Sequence, residues 1–125
     1  MTPVGITADT GFLIGLERNK QRATDLLGYA TARKLRSSIP VVVVAEWWRG
    51  GHGQAQIRKM VDVEPMTEHL AKSAGEALAS VTNATVVDAI VMASAASRGN
   101  VVYTSDFDDF MRLGAYFRGV RIFAI

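Results

Sequence analysis

The sequence predicts a three-layer α/β/α sandwich around a mainly parallel central sheet, and three observations lead there. Short apolar runs are continuous in hydrophobicity, helical patterns fill the intervals between them, and 125 residues suffice for one core with little left for a second. The runs are Val4–Ala8, Ile39–Ala45, Val101–Tyr103 and Val120–Ile125. A half-exposed hairpin strand would alternate apolar with polar residues. Unbroken apolar strands are those covered on both faces, the usual state of a parallel sheet.

The intervals carry helical spacing. Asn19–Arg36 sets Ala23, Leu26, Leu27, Ala30 and Leu35 among charged residues, and Gln54–Val61 is a shorter amphipathic piece. Thr67–Val81 repeats apolar residues at Leu70, Ala74, Ala77, Leu78 and Val81, with Thr67 and Glu68 as its start. Val86–Ser97 is apolar nearly all round and stops at Arg98–Gly99, so it reads as a buried helix. Gly50, Gly51 and Gly53 around His52 mark a turn. Strands alternating with helices imply right-handed β-α-β crossovers. The expectation is a single domain over residues 1–125, without repeat, linker or low-complexity segment.

Composition removes several chemistries. The chain has no cysteine, which excludes a disulfide framework, a thiolate zinc site, an iron–sulfur cluster and a cysteine nucleophile. Met1–Gly5 has no basic segment leading into an apolar one, and no apolar run approaches the ~20 residues of a membrane span, so a soluble, cytoplasmic protein is expected with no membrane partner. Lys and Arg total 14 against 12 Asp and Glu; four acids gathered in one pocket would leave 14 basic and 8 acidic groups, a formal +6 suited to a polyanion.

The acids are placed in a telling way. Asp9 follows the first apolar run, Glu46 follows Val41–Val44, and Asp106 comes three residues after Tyr103. In an open α/β sheet, ligands bind in the crevice beyond the carboxyl ends of the strands, so acids at three such ends should converge. Asp88 is a fourth, in the opening turn of the apolar helix, with Val91, Met92 and Ala95 on its face. Singly, each has a structural reading, as a helix cap or as an acid favoured by the helix dipole. Caps do not require four carboxylates at one sheet edge. Like charges brought close raise one another's pKa unless a cation or protons neutralise them, and hard oxygen donors suit Mg²⁺ or Mn²⁺ better than zinc.

At these residues the sequence resembles the PIN-domain ribonucleases and, within them, the VapC-type toxins of type II toxin–antitoxin pairs. The resemblance runs from Asp9-Thr10-Gly11-Phe12-Leu13-Ile14 through Ala45-Glu46 and Val87–Ala93 to Thr104-Ser105-Asp106-Phe107-Asp108-Asp109-Phe110. It implies a PIN-like fold and an acidic quartet of Asp9, Glu46, Asp88 and Asp106, with Thr10 and Thr104 or Ser105 orienting carboxylates. Asp109 would support the site, and Asp108 would be a solvated helix residue. It further implies an RNA substrate cut to 5′-phosphate and 3′-hydroxyl ends, a homodimer, and a cognate antitoxin protein covering the groove.

The expected chemistry is Mg²⁺-dependent hydrolysis of an RNA phosphodiester, with Asp9, Asp88 and Asp106 as metal ligands and Glu46 holding a second ion or positioning the attacking water. Arg49, Arg58, Arg112, Arg118 and Arg121 are candidates to hold the RNA backbone. Of Trp47 and Trp48, one should be core and the other a candidate contact residue. His52 and His69 read as surface residues. The tripeptide Asp9-Thr10-Gly11 also matches the aspartic-protease signature, but long helical patterns oppose that nearly all-β fold. A response-regulator receiver would need an acid pair after the first strand and a late Lys, and no Lys follows Lys72. The alternative from another class is a non-catalytic PIN-like RNA- or protein-binding module.

Overall fold

The computed structural model describes residues 4–125. Its centre is a sheet of five short strands, β1 (Ile6–Ala8), β2 (Ser37–Pro40), β3 (Asp62–Glu64), β4 (Val101–Thr104) and β5 (Ile122–Ala124). Their order is β3-β2-β1-β4-β5 and every pairing is parallel. Seven helices connect them: α1 (Thr10–Glu17), α2 (Gln21–Ala32), α3 (Val41–Trp47), α4 (His52–Arg58), α5 (Glu68–Ser80), α6 (Val86–Arg98) and α7 (Phe107–Gly114). The α/β/α architecture and the parallel sheet are those expected, and a parallel sheet between helices excludes the aspartic-protease reading.

The first strand is the middle one. From β1 the chain winds outward through β2 to β3, returns over α5 and α6, and winds the other way through β4 to β5. Neighbouring strands β1 and β4 therefore lead in opposite directions, which opens a crevice beyond their carboxyl ends. Residues Ala89–Ala95 of α6 are all buried, and the helix stops at Gly99, which is left-handed with φ 69°. The hydroxyl of Thr67 caps α5 by accepting from the N–H of Leu70 at 3.1 Å.

One predicted strand is largely a helix. Ile39–Ala45 reads as a strand, yet β2 ends at Pro40 and Val41–Trp47 forms α3. Pro40 has no N–H to continue a ladder and stands as the residue capping α3. Four valines lower helix propensity by only tenths of a kcal/mol each, whereas burying an apolar side chain gains about 1.5–3 kcal/mol. Val43 and Trp47, four residues apart, bury on one face of α3, while Val41 and Glu46 stay exposed.

The far end of α3 is fastened by Gln54 of α4, a buried side chain that uses both ends of its amide. Its Oε1 accepts from the N–H groups of Arg49 (2.7 Å) and Gly50 (3.1 Å), and its Nε2 donates to the Trp47 carbonyl (3.0 Å) and Glu17 Oε1 (3.2 Å). Trp47 Nε1 also donates to Glu17, at 2.6 Å. Trp47 is core and Trp48 exposed, as the sequence suggests. His52 and His69 are exposed.

Two further elements differ from expectation. β3 has no apolar run to announce it: Asp62-Val63-Glu64 is a partly exposed edge strand, with Arg36 paired to Asp62 at 2.8 Å. The first long helix begins at Gln21 because Asn19 takes a left-handed φ of 54° and breaks the chain between α1 and α2. Met1–Pro3, part of the segment read for a leader, lie outside the described residues. Among the described residues no helix is long and apolar enough to cross a membrane.

Met92 is fully buried on α6 and Val86 is 59% exposed on the same helix. Met92→Ala is expected to cost about 2–5 kcal/mol in urea unfolding and Val86→Ala to stay within about 0.5 kcal/mol. Equal effects would contradict the orientation of α6.

Candidate active site

Asp9 leaves β1 in extended conformation and caps α1, its Oδ1 accepting from the N–H of Phe12 at 3.0 Å. Its second oxygen accepts from the hydroxyl of Thr104, at the end of β4, at 2.6 Å. That same Thr104 oxygen accepts from the N–H of Asp106 at 2.8 Å. One hydroxyl thus ties the ends of the two central strands together and sets the backbone of a second acid. Asp9 is only 4% exposed. Burial pushes its pKa up, the hydrogen bonds from Thr104 and Phe12 oppose the rise, and the neighbouring charge of Asp106 adds to it.

Asp88 occupies the first turn of α6, where the Thr85 hydroxyl accepts from its N–H at 3.1 Å. Partial burial raises its pKa to about 6, the hydrogen bond with Thr85 opposing and the charges of Asp9, Asp106 and Glu46 adding. Glu46 does not follow a strand directly, as its sequence neighbourhood suggests. It stands on the exposed side of α3, and its Oε1 accepts from the hydroxyl of Thr10. Four carboxylates from separate segments therefore share one electrostatic neighbourhood.

These acids do not form a ready-made cage. Among the described residues no three His, Asp or Glu side chains are gathered tightly enough to hold a metal ion. Both oxygens of Asp9 and one of Glu46 accept local hydrogen bonds. The donor set, all oxygen and without sulfur, has the chemistry of a site for a hard divalent cation, whose charge would offset both the burial that raises the pKa values of Asp9 and Asp88 and the smaller repulsion from neighbouring acids.

Around the acids, the loop after β4 packs hard against α1. A Cβ on Gly11 would come within 2.1 Å of the Ser105 hydroxyl, so glycine permits this approach. Ser105–Asp109 line a cavity of about 340 Å³. Asp108 is exposed, and Asp109 accepts from Arg112. Of the expected RNA-holding arginines, Arg112 is thereby paired, while Arg49, Arg58 and Arg118 donate to nearby carbonyls. Arg121 lines a separate cavity with Tyr103 and Phe123. Thr85 was not among the expected site residues, although Thr85-Val86-Val87-Asp88 carries the spacing of a helix cap followed by an acid.

No protein-family model and no curated protein matches the sequence. Solved structures do match in fold. The chain superimposes on one chain of the DNA-bound VapBC structure from Salmonella typhimurium with a TM-score of 0.74 at 20% identity, covering 98% of each. A toxin–antitoxin complex from Klebsiella pneumoniae gives 0.68 at 17% identity, over 93% of this chain and 95% of that one. Mycobacterium tuberculosis VapC20, a sarcin–ricin loop cleaving toxin, gives 0.63 at 22% identity, over 83% and 93%. This is a PIN-like fold. At such identities the likeness is one of architecture, and the PIN-like frame puts the carboxyl ends of β1 and β4 side by side.

The folded pKa of Asp88, about 6, lies above its ordinary 3.8, so the folded chain holds this proton more tightly. Its contribution to stability is present below about pH 3.8 and is lost as the pH rises through about 6. In protein stripped of metal, Asp88→Asn is expected to raise Tm by a few degrees at neutral pH and to change it little below pH 3.8. Thermal unfolding at both pH values checks this, and an unchanged neutral Tm would contradict it.

Proposed function

We propose that this chain is a metal-dependent endoribonuclease, Mg²⁺ or Mn²⁺ being the cation, and the VapC-type toxin of a toxin–antitoxin pair. The observation that carries the reading is the convergence of Asp9, Glu46, Asp88 and Asp106 around the crevice beyond β1 and β4, where the charges of neighbouring acids add to the rise that burial gives the pKa values of Asp9 and Asp88. The likeness in fold to VapC20 supports the choice of RNA as substrate. The likeness to the Klebsiella toxin–antitoxin complex supports an antitoxin protein as partner. A homodimer and a cytoplasmic setting belong to the same proposal.

Asp9, Asp88 and Asp106 would hold the cation. When bound, it neutralises charge on the phosphodiester and acidifies a water for in-line attack. The residues of the chain do the rest. Asp9 is fixed by hydrogen bonds from Phe12 and Thr104. Thr104 orients Asp9 and the backbone of Asp106 at once, so the two acids move as a unit. Glu46 is poised by Thr10 to accept a proton from the attacking water. No side chain acts as a covalent nucleophile.

Asn caps a helix as well as Asp does, so Asp9→Asn keeps the start of α1 while removing the charge. We expect the wild type to cut single-stranded RNA with Mg²⁺ and not with EDTA. We expect Asp9→Asn to lower kcat by more than ~100-fold, beyond the cost of losing a residue that only supports a ligand. Circular dichroism should be unchanged. Full cleavage by folded Asp9→Asn would sink the assignment; RNA binding without cleavage under any divalent cation would make the chain a binding module.

A further inference from the structure

Next to the acids, a cleft of about 520 Å³ opens between the turn joining α1 to α2 and the loop after β4. Arg18, Lys20 and Arg22 line it above an apolar floor that includes Ile14 and Ala23, and no Asp or Glu side chain lines it. Ser105 lines both this cleft and the cavity of Asp106–Asp109, so the two share a wall.

The three cations are free of acidic partners among the described residues, as four others of the chain are not. Arg36, Lys72, Arg98 and Arg112 each pair with an acid, whereas none of Arg18, Lys20 and Arg22 forms an ion pair among the described residues. The turn that carries them is fixed by its backbone. The Lys20 N–H donates to the Gly15 carbonyl at 2.9 Å, and Asn19 between them is left-handed. The two helices approach so closely that a Cβ on Gly15 would lie 2.9 Å from that of Ala23. The opening turn of α2 lines the cleft as well and adds its unpaired N–H groups.

We infer that this cleft takes the single-stranded RNA backbone flanking the scissile bond, with Arg18, Lys20 and Arg22 on phosphates and the apolar floor under ribose or base. The inference rests on the ribonuclease reading and adds to it the path of the strand. Its volume lies within the about 300–1,000 Å³ of small-ligand sites, room for a nucleotide. No aromatic side chain lines it, and Gln21 already donates to Asp25 at 2.6 Å, so the cleft reads phosphate rather than base identity. It also resolves an electrostatic difficulty: a polyanion reaches four clustered acids only if unpaired cations stand beside them.

The test uses the full chain and a fluorescein-labelled single-stranded RNA oligonucleotide. Anisotropy in EDTA across a salt series reads binding without cleavage, and steady-state cleavage in Mg²⁺ reads turnover. Arg18→Ala with Arg22→Ala, both exposed, should weaken binding about tenfold or more and reduce the salt slope by about 1.4, at about 0.7 per phosphate contact. The loss should fall on KM more than on kcat. Lys72→Gln removes one charge outside the cleft and should change neither. An unchanged salt slope in the double variant, or an equal effect from Lys72→Gln, overturns the cleft while cleavage by the wild type leaves the nuclease standing. Salt-dependent binding through the cleft without cleavage does the reverse, and no binding by the wild type overturns both.

Discussion

Asp9 brings a negative charge to the end of the central strand, where it is nearly cut off from water and lies within the field of a second carboxylate. Everything around it answers to that constraint. The Phe12 amide and the Thr104 hydroxyl stabilise the charged form against the desolvation that disfavours it. Because Thr104 closes β4 as Asp9 follows β1, the bond that tolerates the charge also fixes the spacing of the two strands that bound the crevice. The same carboxylate starts α1, so the opening of the first helix and the electrostatics of the site depend on one side chain.

The remaining acids extend this arrangement. Asp88 arrives on the most buried helix of the molecule, and its charge is disfavoured by packing and by three neighbouring acids together. Glu46 is carried by a helix too short to stand alone and leans on Thr10. Asp9 and Glu46 have local partners for their carboxylates, and the four acids lie near one another without a hydrogen bond between them.

The legible parts of the sequence were those with a strong period. β1 and β4 fall in runs of apolar and β-branched residues, α5 and α6 show helical spacing with recognisable caps, and the order of acids along those elements located the crevice. Thr10 and Thr104 were visible through their place in the PIN-like motifs. What misled was local chemistry overruled by tertiary packing: Val41–Val44 looks like a strand, and the burial of Val43 and Trp47 makes it a helix. β3 left no signal because an edge strand of three partly polar residues needs none of the hydrophobicity that announces a central one. The cations beside the acids were missed for a related reason. Arg18, Lys20 and Arg22 lie outside the PIN-like motifs, and only the close packing of α1 on α2 brings them to the rim.

Gln54 acts on the site from a distance. Its amide spends all its hydrogen-bonding capacity on the last turn of α3, the loop that follows and Glu17. The bracket thus formed makes the rigidity of Glu46 a property of the neighbouring helix. Wherever Glu46 must reach toward a ligand, the movement is that of its own side chain, because the turn of α3 that carries it is clamped.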